Sequence, residues 1–137
     1  MDRKFIMIIA KIFGKLNNFN LNFSPMIIGV AGPYSAPTEE QRQKNLDAMN
    51  EAAARVLEKG HIPIIGMNAA LPIVSIANIE DKYKATMEIS LAVIDKCDAI
   101  LMIGESPGAN TERDLVKAKG LPVYYSINEI PDVLSSE

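Results

Sequence analysis

The stretch AILMIGESPGANTE, residues 99–112, decides the fold, because it joins an apolar strand to the start of an amphipathic helix. The strand at residues 99–103 is apolar throughout, as expected of a strand buried on both faces. The helix ends at Gly120, and Pro122 prevents its continuation. This unit predicts Glu112 in the first turn of a helix at the carboxyl end of a strand. In an open α/β sheet, ligands bind at that edge.

The local pattern gives Glu112 two interpretations. The positive end of the helix dipole favours the ionised form of the side chain. An ionised carboxylate beside a loop opened by Gly108 is a candidate nucleophile or ion-pair partner. An acidic residue near a helix N-terminus is also common simply because it stabilises the helix. The local pattern leaves both interpretations open.

The alternation of strand and helix continues towards the N-terminus. Residues 26–31 predict an apolar strand, and residues 32–37 predict a loop. Thr38 and Gln41 predict the capping box of a helix that ends at Gly60. Strands that alternate with helices form a parallel sheet covered on both faces. We therefore predict an α/β fold, a flavodoxin- or Rossmann-like three-layer sandwich with a small, mostly parallel sheet of about four or five strands.

The remaining elements follow from apolar runs and turn residues. Residues 62–65 predict a strand, and Pro63, which has no backbone donor, indicates an edge position for it. The others are an irregular segment at residues 66–80, a helix at 81–96, a strand at 121–125 and a short closing helix at about 128–134.

The distribution of charge changes near residue 25 and limits the kinds of partner that the protein is expected to bind. Residues 1–25 hold four basic groups and one acid, whereas the rest holds 10 basic and 16 acidic groups. We interpret residues 1–25 as a peripheral leader and residues 26–137 as a single domain. A basic amphipathic surface helix at residues 3–16 is an alternative for the leader. An acidic domain without a basic stripe is a poor candidate for binding nucleic acid.

The cysteine and histidine content argues against disulfides and against a metal site. The single cysteine, Cys97, excludes an internal disulfide and suits a reducing cytosol, so we expect a cytoplasmic protein with a buried structural thiol. The single histidine, His61, is predicted to be structural. No His/Cys cluster has metal-ligand spacing, so we expect neither a metal nor another cofactor. The apolar run at residues 5–10 is too short to span a bilayer, so we expect no membrane partner.

Two loops are predicted to meet at the ligand edge of the sheet, because the strands before them are parallel. Glycines allow a ligand to approach the backbone, and the start of a helix offers N–H groups to an anion. The candidate binding residues are Gly32, Pro33, Tyr34 and Ser35 in the first loop and Ser106, Gly108, Ala109, Asn110 and Glu112 in the second. The first loop is neither a Walker loop nor a dinucleotide fingerprint. Tyr34 either presents its ring and hydroxyl to a ligand or is a half-buried loop tyrosine.

Four motifs, in order along the chain, resemble those of the nucleoside 2-deoxyribosyltransferase superfamily. They are AGPY at residues 31–34, KGHIP at 59–63, CDAI at 97–100 and SPGANTE at 106–112, the last followed by GLPV at 120–123. The similarity covers about residues 26–134, and the nearest branch is that of the small DUF4406-type members.

The resemblance implies chemistry at an N-glycosidic bond. Glu112 corresponds to a glutamate that attacks the anomeric carbon of a ribosyl or deoxyribosyl group and displaces the base. A second base then gives transfer, and water gives hydrolysis. By the same resemblance, Tyr34 would orient the glutamate or the sugar, and Asn68 would face the base. Active sites of this superfamily are often completed across a subunit interface, so a homo-oligomer that binds a small nucleoside or nucleotide is expected.

Two positions depart from the superfamily pattern. The transferases commonly carry an aspartate where this chain has Ser106, and a serine there resembles nucleotide N-hydrolases, which use it to hold a 5′-phosphate. This favours hydrolysis of a nucleoside 5′-monophosphate. The superfamily often has an aspartate at the position of Ser90, so the acid that protonates the leaving base is not evident here.

Three functions are therefore open. The first is an N-glycosidase or deoxyribosyltransferase that uses Glu112 as its nucleophile. The second is a catalytically silent nucleotide-binding or sensor module that keeps the crevice but not the acid. The third is an enzyme that cleaves the nicotinamide–ribose bond of a dinucleotide.

Overall fold

Parallel strands form an open sheet in the computed structural model, which describes residues 2–8 and 24–133. The strands are β1 (Ile27–Ala31), β2 (Ile62–Ile64), β3 (Ala99–Met102) and β4 (Val123–Tyr124), and their order in the sheet is β2-β1-β3-β4. The order reverses between β1 and β3, whose register pairs Ala31 with Met102. The predicted α/β fold with a small parallel sheet is confirmed, and β2 lies at an edge as Pro63 indicates.

Helices cover both faces of this sheet. The connecting helices are α1 (Glu39–Glu58), α2 (Gly66–Ile76), α3 (Lys82–Ile94) and α4 (Pro107–Ala118). Side chains alternate along a strand, so β1 and β3 supply two cores. On one face Ile28 and Leu101 pack with Val56 of α1, and on the other Ile100 packs with Val116 of α4. The three-layer arrangement follows from these two apolar clusters.

The largest difference from the sequence prediction is α2, which replaces the irregular segment expected at residues 66–80. Its sequence, GMNAALPIVSI, is apolar on nearly every side, so it shows no clear helical period. Pro72 lies inside this helix, although a proline in the interior of a helix normally disrupts it. Packing against α3 stabilises α2 in spite of its composition.

The start of α1 and the closing helix also differ from the sequence prediction. Thr38 caps α1 by accepting a hydrogen bond from the Gln41 backbone (3.1 Å), as predicted. The Gln41 side chain does not complete a capping box, because it donates to Asn45 one turn further on (2.9 Å). The closing helix expected at about 128–134 is a single 3-10 turn, Ile127–Glu129, and residue 134 lies outside the described residues.

His61 and Cys97 are structural, as predicted. The backbone N–H of Met26 donates to Nδ1 of His61 (3.0 Å), and Nε2 of His61 lies 2.6 Å from the carbonyl oxygen of Pro131. The buried imidazole thus joins the starts of β1 and β2 to the C-terminal segment. Cys97 is also buried, and burial raises the pKa of its thiol to about 11, so the thiol is unreactive at neutral pH.

The start of the chain contacts the amino end of the sheet. Residues 3–8 are helical, and Met7 packs against the core. Arg3 pairs with Asp98 (3.3 Å), which also accepts a hydrogen bond from the backbone of Ile27 (2.8 Å). The rest of the helix suggested for residues 3–16 lies outside the described residues. Within residues 2–8 and 24–133, no helix has the length and apolar character needed to cross a membrane.

Candidate functional site

A cavity of about 210 Å³ lies at the carboxyl ends of the strands, where the strand order reverses between β1 and β3. This is the position at which open α/β sheets bind ligands. The loop after β1, the start of α2, the side of α3 and the start of α4 contribute its walls. The two predicted loops therefore meet at one cavity.

Seven of the residues predicted for the site line this cavity, namely Gly32, Tyr34, Ser35, Ser106, Gly108, Ala109 and Glu112. Three others have different surroundings. Pro33 lies against Gly104, and Asn110 accepts a hydrogen bond from Arg113 (3.3 Å). Asn68 lies on α2, where its side chain donates to Asn50 (2.7 Å), so it is not part of the cavity wall.

The glycines of the two loops are explained by packing. A Cβ atom on Gly32 would lie 2.5 Å from Cγ1 of Ile103, and one on Gly104 would lie 2.9 Å from Cδ of Pro33. The loops after β1 and β3 therefore need glycine in order to pack against each other. A Cβ atom on Gly108 would lie 3.3 Å from Sδ of Met87. Close approach by a ligand, which the sequence suggests for Gly32 and Gly108, is not required to account for Gly32, whereas the flexible Met87 side chain leaves Gly108 without a strict packing requirement.

Glu112 lies deeper in the helix than predicted. Ser106 is the N-cap of α4, and its Oγ accepts a hydrogen bond from the backbone of Ala109 (3.1 Å). Glu112 is therefore in the second turn of the helix, where the dipole acts weakly. Its side chain is buried, with 4% of the residue exposed. Burial raises the pKa of the Glu112 carboxyl above its usual 4.5, and therefore acts against the ionised form that the helix dipole is predicted to favour.

Ser90 opposes this effect of burial. It lies on α3, has 0% of its surface exposed, and donates a hydrogen bond from Oγ to Oε1 of Glu112. This contact lowers the pKa of Glu112, although by less than burial raises it. The carboxyl group is thus held by one oxygen at the wall of the cavity.

Gly66 allows Ser90 to occupy this position. A Cβ atom on Gly66 would lie 2.9 Å from Cβ of Ser90 and 3.0 Å from its Cα. The second atom belongs to the backbone of α3, so a side-chain rotation cannot relieve the contact. The start of α2 is therefore in close contact with the helix that carries Ser90.

We predict that Gly66→Ala destabilises the protein by about 1–3 kcal/mol, because the added methyl group overpacks the contact between α2 and α3. Urea denaturation of both proteins measures the difference. Gly120→Ser is not a suitable control, since Gly120 has a positive φ of 72°. Ala69→Ser, on an incompletely buried position of the same helix, provides one. Equal stability of Gly66→Ala and the wild type would show that α2 can shift freely against Ser90.

The cavity wall is mainly apolar and contains residues that sequence analysis did not assign to it. The most prominent of these are Met49, Met67, Tyr83 and Met87. No lysine, arginine or histidine in the described part of the chain lines it. The start of α2, which faces the cavity at Gly66, has no side-chain cap. Its backbone N–H groups supply a positive potential in place of a basic side chain.

One sequence signal could have placed Ser90 in the interior. Thr86, Ser90 and Ile94 follow one another at four-residue steps and form the buried face of α3. A serine inside a buried stripe needs a hydrogen-bond partner, which directs attention to a polar group on a neighbouring element. Among residues 2–8 and 24–133, no group of three or more His, Cys, Asp or Glu side chains is placed to hold a metal ion.

The arrangement can hold a small ligand against a fixed carboxyl group in mainly apolar surroundings. In comparison with known proteins, a family model described as a domain of unknown function (DUF4406) matches residues 26–125. No curated protein matches the chain. The family match covers the sheet, the helices around it and every residue named at the cavity. The chain therefore belongs to the DUF4406 family.

Proposed function

We propose that this protein cleaves or transfers at the N-glycosidic bond of a nucleoside or a nucleoside 5′-monophosphate, with Glu112 as the nucleophile. One observation carries the proposal. A carboxyl group that is buried and hydrogen-bonded through one oxygen forms part of the wall of a cavity at the switch point of the sheet. The sequence resemblance to nucleoside 2-deoxyribosyltransferases supplies the reaction class.

The chemistry requires the ionised form of Glu112. An oxygen of the carboxylate attacks C1′ of the sugar, the C1′–N bond breaks, and the base leaves with the electron pair of that bond and takes up a proton. The resulting glycosyl ester is then attacked by water, which gives hydrolysis, or by a second base, which gives transfer. Both routes regenerate the carboxylate. We assign the proton for the leaving base to water, since no second carboxyl group of the described residues lines the cavity.

The cavity favours a small substrate. Its volume of about 210 Å³ lies below the range of about 300–1,000 Å³ that is typical of ligand pockets. This volume favours a single nucleoside or nucleotide over a dinucleotide. Tyr34 and Tyr83 offer ring faces, and methionine side chains adapt to flat apolar groups, so the walls suit a nucleobase.

A second candidate function is a nucleotide-binding or sensor module without turnover. It is favoured by the raised pKa of Glu112, which opposes formation of the nucleophile, and by the serine at position 90. Such a module would bind a nucleoside or nucleotide with similar affinity in the wild type and in Glu112→Gln, and it would release no base.

We further propose a cytoplasmic location and a homo-oligomer. The single cysteine suits a reducing compartment. Two large apolar side chains, Ile76 at the end of α2 and Ile79 in the α2–α3 connection, are exposed and are suited to contact with another subunit. The acidic domain gives no support to a nucleic-acid partner.

The test is chromatographic detection of free base released from nucleosides, 5′-monophosphates and dinucleotides, with and without an added acceptor base. We expect release or exchange with the wild type, from mononucleosides or mononucleotides in preference to dinucleotides, and none with Glu112→Ala. Absence of release from every compound, combined with measurable ligand binding by calorimetry, would instead establish the binding module. Release that is unchanged in Glu112→Ala would place the chemistry elsewhere.

A further inference from the structure

We propose that Ser90 is the positioning residue of the Glu112 nucleophile, holding one carboxyl oxygen so that the other is directed at the sugar. This inference rests on the proposed glycosidic function. It assigns a role to a residue that a ligand cannot touch, because Ser90 has no exposed surface and does not line the cavity. Ser90 can therefore act only through Glu112.

The first argument is geometric. The Ser90 hydroxyl donates to Oε1 of Glu112, which leaves Oε2 without a hydrogen-bond partner among the described residues. A carboxylate held at one oxygen has a fixed orientation, and the nucleophile then needs little reorganisation before attack. Both helices that carry the pair are packed against each other, and Gly66 keeps α2 close behind Ser90. The Ser90 side of the pair is thus supported by three helices, and the Glu112 side is open to the cavity.

The second argument is electrostatic. The titratable residues around Glu112 are Cys97, whose thiol interacts with its charge, and Tyr34 and Tyr83, which line the same cavity. None of these three carries a positive charge, and no basic residue in the described part of the chain lines the cavity. The Ser90 hydroxyl is consequently the group that stabilises the carboxylate against burial. Its removal should disfavour the ionised nucleophile.

The experiment compares the wild type with Ser90→Ala and Ser90→Cys in the base-release assay over a range of pH. Cysteine has nearly the size of serine but is a weak hydrogen-bond donor, so Ser90→Cys controls for packing. We expect both variants to lower kcat at neutral pH by about ten- to a hundredfold, the effect of losing a hydrogen bond to a charged group. We also expect the acid limb of the pH–rate profile to move to higher pH in both variants.

A second measurement is independent of turnover. The carbon-13 resonance of the Glu112 carboxyl group reports its titration directly, with Glu112→Gln used for assignment. We expect the Glu112 titration to move to higher pH in Ser90→Ala. Wild-type kinetics and an unchanged Glu112 titration in both variants would overturn the positioning role while the proposed function stands. If Ser90→Cys behaves as the wild type and Ser90→Ala does not, Ser90 acts through packing and the proposal is also overturned.

Failure of the proposed function gives a different pattern. In that case the wild type releases no base from any compound, and the role of Ser90 in catalysis falls with it. The carboxyl titration then still decides whether Ser90 holds Glu112 as the geometry indicates. The two failures are therefore distinguished by the wild-type protein alone.

Discussion

Glu112→Gln is expected to lower the rate of base release by a thousandfold or more, on the order of the losses seen when a nucleophile is removed from other enzymes. The amide has nearly the same shape as the carboxyl group and can still accept the hydrogen bond from Ser90. It cannot form a glycosyl ester, because its oxygen is a weak nucleophile. Chromatographic measurement of kcat with the best substrate of the panel tests this directly.

Glu105→Gln is the matched control for this prediction. Glu105 lies in the same β3–α4 connection, is exposed, and makes a weak ion pair with Arg113 (3.4 Å). The control removes one negative charge from the same edge of the sheet without touching the cavity wall. It should keep kcat within about threefold of the wild type, since exposed ion pairs contribute little. Equal losses in both variants would mean that the charge of this edge, rather than a nucleophile, controls the reaction.

The same Glu112→Gln variant is expected to become more stable than the wild type as pH rises. In the unfolded chain the Glu112 carboxyl ionises near 4.5, whereas in the folded protein burial raises its pKa. Between these two values the unfolded state binds fewer protons, so the wild type loses stability with increasing pH. Glutamine does not titrate and escapes this loss. The difference in free energy of unfolding, measured in urea at several pH values, should favour the variant increasingly from pH 4.5 up to the raised pKa of the folded state, and should then stay constant. A difference that does not depend on pH would contradict the raised pKa.

Much of the fold follows from local sequence patterns. Apolar runs predict β1 and β3, because a strand buried on both faces has no polar positions. Gly60 and Gly120 predict helix ends, and both have positive φ in the structure (92° and 72°). The helix α2 is the exception, since a segment that is apolar on all sides carries no periodic signal. This helix is stabilised by contacts with α3, and such tertiary contacts cannot be inferred from a local sequence pattern.

The candidate site could be predicted only in part, for a similar reason. The two loops that flank the cavity are adjacent because they follow parallel strands that are neighbours in the sheet. This topology can be inferred from the sequence. The hydrogen bond between Ser90 and Glu112 depends instead on how closely α3 packs against α4. No local sequence pattern indicates this distance. The effect of burial on the pKa of Glu112 is not part of the sequence prediction, because the dipole at a helix start can be inferred from sequence, whereas the depth of burial cannot.

His61→Ala should be more destabilising than any other substitution considered for this protein, with an expected loss of about 2–5 kcal/mol in the free energy of unfolding. The buried imidazole accepts from the Met26 backbone and bonds the Pro131 carbonyl. Alanine leaves both backbone groups without these partners and creates a cavity at the amino end of the sheet. Since small domains have a total stability of about 5–15 kcal/mol, this loss is a large fraction of the whole.

Two further variants separate the hydrogen bonds of His61. In His61→Asn, the oxygen of the introduced amide can replace Nδ1 as an acceptor, and in His61→Gln, the longer amide can replace Nε2 as a donor. The free energy of unfolding of each variant, measured by urea denaturation, should lie between those of the wild type and His61→Ala. The cavity lies at the opposite, carboxyl end of the strands, so the folded fraction of each variant should keep the wild-type kcat. A loss of kcat in fully folded His61→Asn would contradict this separation, in which one end of the sheet stabilises the fold and the other carries the proposed chemistry.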